Sequence, residues 1–380
     1  MISSSTNRLL LAKAVPVRLA KSRVVNRSFR ALIHSVCDGG GGKGNDGPDR
    51  HKFMKLLGHF PDVDHSFGYG SGVFPQKAES GTESSSPSSP SSSPSPPSSP
   101  SSPSSPAPPP MVDLILVAAS PLSFHSSNMS LNSRHYSGVA KFFGRGCVSF
   151  VQGDGVYFNP FVKLDCGTIV KYGVISREAL LKDLRDWSKL YVAGRLHKPT
   201  LTLSSDDEIS DAQRVNLSMA LSAALLCMKE PTFDDVRLYS EVAELSYRGD
   251  PRMSMGAEDA SKISKLVNSP GQLDRFGQLY SEALASLSSL GILSISSSGK
   301  SFSWDCDDPS TAARLFSALP APLRSMARDP RGLRGALEGV VRRAAIEQTS
   351  KGLFTAGVYN SVKYAKEKFK KGIAGRSRQK

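Results

Sequence analysis

Residues 84–110 hold only Ser, Pro and Ala107, with eleven prolines in 27 positions. Each proline fixes φ and removes a backbone donor, so neither helix nor sheet can form there. The segment is predicted to be extended and solvated, within a disordered insertion spanning 80–110. This frames everything around it. Its flanks, Phe67–Phe74 and Met111–Ala119, are too short to bury a core alone. They must therefore meet inside one domain, with the Ser/Pro stretch as a loop between them. Such a loop is cheap, since each doubling of length costs roughly 0.6 kcal/mol in closure entropy.

The chain has 380 residues and a formal charge of +14, which suits two domains. The charge is uneven. Residues 1–36 carry five Arg, two Lys and no acid, and read as a mitochondrial or plastid transit peptide. Residues 37–48 are a flexible linker. The Gly39–Gly47 run within it is no phosphate loop, because Gly44 follows Lys43 where Ser or Thr is needed. No apolar run approaches the ~18–20 residues of a spanning helix. The five cysteines are scattered without a CxxC pair, against a structural zinc site or a disulfide scaffold.

Residues 49–200 read as a mixed α/β domain. A helix is predicted at Asp49–His59 and a strand at His65–Tyr69. Met111–Ala119 suits a buried strand, and Gly155–Ser176 two strands around an Asp165-Cys166-Gly167 turn. Ser176 caps a helix with Leu180, Leu181, Leu184 and Trp187 at helical spacing.

Residues 201–310 change character. Helices are predicted at Ser210–Met228, Thr232–Ser246 (Thr232 and Asp235 resembling a capping box) and Gln272–Leu287. Strands at Ile292–Ser296 and Ser301–Trp304 follow, a winged-helix order. Its third helix balances Arg275 with Asp274 and Glu282, so a scaffold or lid role is expected rather than nucleic-acid binding. Residues 311–380 form a helical C-terminal region. From Arg342 it carries eleven Lys/Arg against two Glu. Val358, Val362, Ala365, Phe369 and Ile373 form an apolar stripe beside lysines. Such a basic amphipathic helix suits an anionic membrane surface, or packs on its own domain.

Several residues could carry chemistry. Gly68–Phe74 lacks the third glycine of a dinucleotide fingerprint. Gly70 and Gly72 would let the backbone approach a phosphate, with Ser71 adding a hydroxyl, though a tight turn explains them as well. Asp113 opens an apolar strand, where a carboxylate either emerges at the end or binds a cation. A Gly-Ser turn followed by an Asp-bearing strand is a nucleotidyltransferase layout. The usual second acid would fall at Ile115. His125, Asn128, Asn132, His135 and Tyr136 form a polar cluster suited to substrate hydrogen bonds; the two histidines lack metal spacing. Lys171 beside Tyr172, then Arg195 and Lys198, offer cations to a phosphate, or to surface ion pairs. Asp250 and Arg252 lie in a functional-looking loop, Tyr247–Met253, which is equally an ordinary turn.

These segments resemble one family. Gly68–Gln76 (GYGSGVFPQ), Met111–Val117 (MVDLILV), the His125–Ser137 series, Ile169–Ser176 (IVKYGVIS), Leu190–Pro199 (LYVAGRLHKP), Tyr247–Met253 (YRGDPRM) and Gln348–Gly357 (QTSKGLFTAG) are similar, in order, to mitochondrial phosphatidate cytidylyltransferases. These are also called translocator assembly and maintenance proteins. The resemblance implies a nucleotidyltransferase domain, a winged-helix-like domain and a membrane-associated C-terminal segment. It implies transfer from CTP to phosphatidic acid with Mg²⁺, making CDP-diacylglycerol for cardiolipin on the matrix face of the inner membrane. The family has a single Asp in its strand motif, matching Ile115 here, while the Ser/Pro insertion departs from its core. On that basis Asp113 is the expected Mg²⁺ ligand and Lys171 its catalytic companion. Gly70, Ser71, Gly72, Tyr172 and Arg195 are expected to hold the nucleotide. His125, Asn128, His135, Tyr136, Lys198, Asp250 and Arg252 are expected substrate contacts. Two alternatives stay open: a nucleotidyltransferase with a nucleic-acid acceptor, and a non-catalytic inner-membrane factor supporting protein import.

Overall fold

Val112–Ala118 is apolar at every position but Asp113, and every residue except Asp113 is buried. A strand apolar on both faces belongs in the middle of a sheet. That is its place in the computed structural model, which describes residues 49–74, 111–254 and 261–352. Along the chain α1 (Arg50–Leu57), β1 (His65–Tyr69), β2 (Val112–Ala118), α2 (Pro121–Leu131), α3 (Gly138–Gln152), β3 (Tyr157–Lys163), β4 (Ile169–Ser176), α4 (Arg177–Asp186), α5 (Ala193–Leu196) and β5 (Leu201–Ser204) build a mixed five-stranded sheet with helices. The strand order is β3-β4-β2-β1-β5. β2 runs parallel to β4 and antiparallel to β1, and β3 and β4 form an antiparallel pair. β5 lies just past the boundary expected at residue 200, yet pairs with β1 in this sheet.

Alternation along the strands gives the sheet two distinct faces. Leu114, Leu116, Tyr172 and Val174 pack with Phe53, Leu56, Phe60 and Phe124 on one side. Ile115, Val117 and Ile175 pack on the other with α4 and the helices that follow. Helix starts follow their caps: Asp49 accepts from the backbone of His51 and Lys52, and Ser176 from Ala179.

Beyond the sheet come α6 (Asp207–Met228), β6 (Thr232–Asp234), α7 (Asp235–Glu244), α8 (Pro251–Ser254), α9 (Lys262–Asn268), α10 (Gln272–Ser289), β7 (Ser294–Ile295), β8 (Ser301–Ser303), α11 (Pro309–Ser317) and α12 (Ala321–Ala327). A last helix, α13, spans 333–352. The helix expected from Thr232 instead starts at Asp235. Thr232–Asp234 pairs with β8, Phe233 stacks on Phe302 at 5.7 Å, and Asp234 rather than Thr232 supplies the cap. α2 and α3 occupy a stretch where no helix was expected. Their inward positions include His125, Asn128 and Gln152, which conceal the apolar period. No helix among the described residues is long and apolar enough to cross a membrane. The expected transit peptide, the linker, the whole Ser/Pro insertion at 80–110 and the tail from 353 lie outside the described residues.

Candidate active site

The turn after β1 is built by glycine. Gly70 has φ +77°, and its carbonyl accepts from the backbone of Val73 (3.1 Å) and Phe74 (2.9 Å). A Cβ on Gly72 would lie 2.2 Å from the Met111 carbonyl oxygen, so the turn and the start of β2 touch backbone to backbone. A Cβ on Gly70 would lie 3.4 Å from Asp113 Oδ2, which puts the turn's backbone beside the carboxylate. Ser71, within the turn, is exposed.

Register assembles the rest. Asp113 pairs with Tyr69 on β1 and with Lys171 on β4, so all three point from the same face. Lys171 Nζ lies 3.8 Å from Asp113 Oδ1 and 4.8 Å from the Phe158 ring centroid. Phe158 faces Tyr191 at 6.3 Å. The Arg195 guanidinium sits 5.7 Å from the Tyr191 ring and 4.1 Å from the Tyr69 ring. Tyr69, Asp113, Lys171, Phe158, Tyr191 and Arg195 thus close a circuit of one anion, two cations and three aromatic rings. Burial opposes the charge on Arg195, but Tyr69, Tyr191, Tyr247 and Asp113 outweigh it, and the guanidinium stays charged. Its Nε is buried with no hydrogen-bond acceptor among the described residues.

Asp183 holds the loop that carries Tyr191 and leads to Arg195. Its buried carboxylate accepts five backbone N–H bonds, from Lys189 through Ala193, at 2.7–3.1 Å. From Arg195 a cleft leads past Lys198 and Tyr247 to Asp250 and Arg252. Lys198 is buried; its Nζ donates to Ser246 Oγ (2.6 Å) and stands 4.5 Å from the Tyr247 ring. Burial first, then Arg195 and Lys262, pull its pKa well below the usual lysine value. Asp250 is buried and grips the Arg252 guanidinium at 2.6–3.1 Å. Asp250 therefore positions Arg252 rather than offering a second acid to a metal.

The polar cluster behaves differently from its expected role. His125, Asn128, His135, Tyr136 and Tyr172 are buried on the opposite side of the sheet from Asp113. They close on one another. Gln152 Oε1 accepts from His125 Nε2 (2.8 Å), leaving Nδ1 to accept from Tyr136 Oη (2.9 Å). The Asn128 amide donates to Tyr136 Oη (3.0 Å) and Tyr172 Oη (2.8 Å), and His135 Nδ1 meets Tyr172 Oη at 3.1 Å. Burial holds both histidines neutral, lowering each pKa to about 4. His125, Asn128, His135 and Tyr136, expected as substrate contacts, and Tyr172, expected to hold the nucleotide, instead hydrogen-bond to one another in the interior. A buried polar group left without a partner is costly, which explains why so many converge.

A family profile for mitochondrial phosphatidate cytidylyltransferase matches residues 53–331, well over half of the chain. The chain belongs to this family. The Xenopus laevis mitochondrial phosphatidate cytidylyltransferase is 33% identical over 346 residues, covering 84% of this chain and 94% of that one. The Rattus norvegicus protein of the same name is 34% identical over 343 residues, 83% of this chain and 93% of its own. The Saccharomyces cerevisiae protein is 33% identical over 304 residues, 79% of this chain and 64% of its own.

Within this phosphatidate cytidylyltransferase chain, the aromatic members of the circuit, Tyr69, Phe158 and Tyr191, escaped sequence reasoning, as did Asp183. Tyr69 carried a signal: it precedes the glycine turn and would face Asp113 in any tight β1–β2 pairing. Asp183 carried none, because a carboxylate on a helix reads as solvated surface. Among the described residues no group of three or more His, Cys, Asp or Glu is placed to hold a metal. Asp113 supplies one carboxylate. That matches Mg²⁺, which keeps waters and takes one or two carboxylates together with substrate phosphates.

Proposed function

We propose that the chain transfers the cytidylyl group of CTP to phosphatidic acid, forming CDP-diacylglycerol and releasing pyrophosphate. The observation carrying this reading is Asp113 between the glycine turn and Lys171, with Arg195 completing the circuit. A phosphatidate oxygen attacks the α-phosphorus, and the bond to the pyrophosphate oxygen breaks. That oxygen is already anionic near neutral pH, so no general base is needed; positioning and charge neutralisation do the work. Gly70 and Gly72 let the turn's backbone approach the triphosphate, and Ser71 adds a hydroxyl. Lys171 and Arg195 balance phosphate charge, Arg195 through its unpaired Nε–H. Lys198 and Arg252 extend the hydrogen-bond donors along the cleft. Asp113 would hold Mg²⁺, which supplies charge neutralisation on the triphosphate.

The remaining architecture is read the same way. Residues 49–204, with β5 completing the sheet, are proposed as the nucleotidyltransferase domain and 205–310 as a winged-helix-like one. The order α6, β6, α7, α10 and the β7–β8 hairpin, with sheet order β6-β8-β7, supports the second. Its α10 reaches the glycine turn, where the Arg275 guanidinium lies 5.1 Å from the Phe74 ring. The basic C-terminal tail would hold the enzyme peripherally on the matrix side of the mitochondrial inner membrane, where its product feeds cardiolipin. Residues 1–36 would be its transit peptide.

Labelled CTP with phosphatidate vesicles and Mg²⁺ tests the reading. CDP-diacylglycerol should form, and ATP or GTP should substitute poorly. Product only with a nucleic-acid acceptor, or with no acceptor at all, would reject it.

A further inference from the structure

α3 exposes aromatic side chains that nothing in the proposed chemistry uses. Phe142 is 85% exposed, Phe150 87% and Phe143 65%, with Val139 at 45% beside them. Phe142 and Phe143 stand edge to face, centroids 5.0 Å apart, and Phe150 follows on the second segment of α3; large rings bare to solvent and so grouped mark a contact surface rather than scattered exposure. The helix is interrupted after Phe143 by Gly144, at φ +70°. A Cβ at Gly138, Gly144 or Gly146 would meet nothing within 4 Å, so this surface is open among the described residues.

Charge selects the occupant. Residues 114–153 contain Arg134, Lys141 and Arg145 and no Asp or Glu. Lys141 precedes the Phe142–Phe143 pair and Arg145 follows it. Rings flanked by cations suit the boundary between acyl chains and anionic headgroups. The chain's exit agrees. Lys351 Nζ donates to the Gln152 carbonyl (2.8 Å) and Gln348 to that of Val156 (3.0 Å). The described end of α13, at residue 352, therefore lies beside the C-terminal end of α3. The sequence beyond it, residues 353–380, holds eight Lys/Arg and one Glu, a charge complementary to an anionic surface, as are Lys141 and Arg145.

We infer that the aromatic face of α3, through Phe142, Phe143 and Phe150, inserts into an anionic lipid bilayer as a contact separate from the tail. The inference rests on the proposed reading only in that the acceptor is a membrane lipid. Its effect is to fix how the enzyme sits on the bilayer, where a tail alone would tether it loosely.

The test uses the full chain and vesicles of phosphatidylcholine with or without phosphatidylglycerol, free of CTP and phosphatidate. Phe142→Trp, read against Trp187 and Trp304 in the unsubstituted chain, should shift its emission to the blue with the anionic vesicles. A combined Phe142→Ser, Phe143→Ser, Phe150→Ser variant should lose vesicle binding on the order of tenfold, while its melting temperature and its transfer to a short-chain phosphatidate in detergent stay unchanged. Unchanged vesicle binding with no emission shift would overturn the inference. So would a blue-shifted signal without vesicles that disappears on truncation at 352, which makes the tail the occupant. A dimer abolished by the serine variant would assign the face to a second copy. Failure of transfer in the unsubstituted chain would reject the proposed activity and leave the vesicle result to judge this face alone.

Discussion

Lys171 and Asp113 are register partners on adjacent parallel strands, yet their charged atoms stand 3.8 Å apart and each side chain keeps 22% of its surface exposed. An open pair of this kind contributes at most about 1 kcal/mol to stability. It is poorly explained as a structural bond, which supports the proposed roles of the two groups toward phosphate and Mg²⁺. Lys171→Met should therefore leave the melting temperature within a few degrees of the original. CDP-diacylglycerol formation should fall by on the order of 10²-fold, as expected when a charge-neutralising group is removed. Thermal melting and the transfer assay on the same preparation check this.

Arg195 combines a guanidinium 4.1 Å from the Tyr69 ring centroid with a buried Nε that has no acceptor among the described residues. Lysine keeps the charge and loses both features. Arg195→Lys should weaken CTP binding roughly tenfold or more, read by calorimetric titration, although the net charge is unchanged. Binding equal to the original would mean that the guanidinium serves only the fold.

Gly72 is fixed by contact rather than by dihedral angle. An added Cβ would lie 2.2 Å from the Met111 carbonyl oxygen, and backbone on both sides leaves little room to yield. Gly72→Ala should cost about 1–3 kcal/mol, the usual penalty of forced overpacking, and should displace Asp113 with β2. Gly146→Ala, whose Cβ meets open space, is the control and should be close to neutral. Denaturant unfolding of the two variants separates these outcomes.

The interior histidines make stability depend on pH. His125 and His135 titrate near 4 when folded, chiefly because burial disfavours the cation, against 6.5 when unfolded. Between those values the unfolded chain binds more protons, so stability falls as pH drops from 6.5 toward 4 and is flat above that window. Protonating His125 Nδ1 also removes the acceptor that Tyr136 uses. Each histidine contributes on the order of a few kcal/mol across the window. Urea unfolding at several pH values should show this slope, and His125→Gln should flatten part of it while lowering stability throughout.

Periodicity and turn chemistry carried much of the sheet. β1 was expected at His65–Tyr69 and lies there, because a glycine turn ends it. β2 and β4 were legible as apolar runs, and Ser176 marked the start of α4. What failed were places where polar residues do structural work. The inward His125, Asn128 and Gln152 hid α2 and α3 by replacing apolar residues with a hydrogen-bonded network. Their grouping in sequence looked like a substrate site for the same reason. Thr232 looked like a cap because strand pairing of Thr232–Asp234 with β8 depends on residues some seventy positions away. The site split along the same line. Asp113, Lys171, Arg195 and the glycine turn were visible as residue types in strand and turn contexts. The aromatic walls and the Asp183 clasp became visible only when register and loop geometry brought them together.

The central claim is that Asp113 is the acid on which cytidylyl transfer depends. The most direct measurement compares the original chain with Asp113→Asn, a near-isosteric change, in CTP:phosphatidate transfer across a Mg²⁺ titration. Circular dichroism melting confirms that both proteins are folded. The expected result is a folded Asp113→Asn protein whose transfer is at least on the order of 10²-fold slower and less responsive to Mg²⁺. Near-normal transfer with an unchanged Mg²⁺ dependence would contradict it.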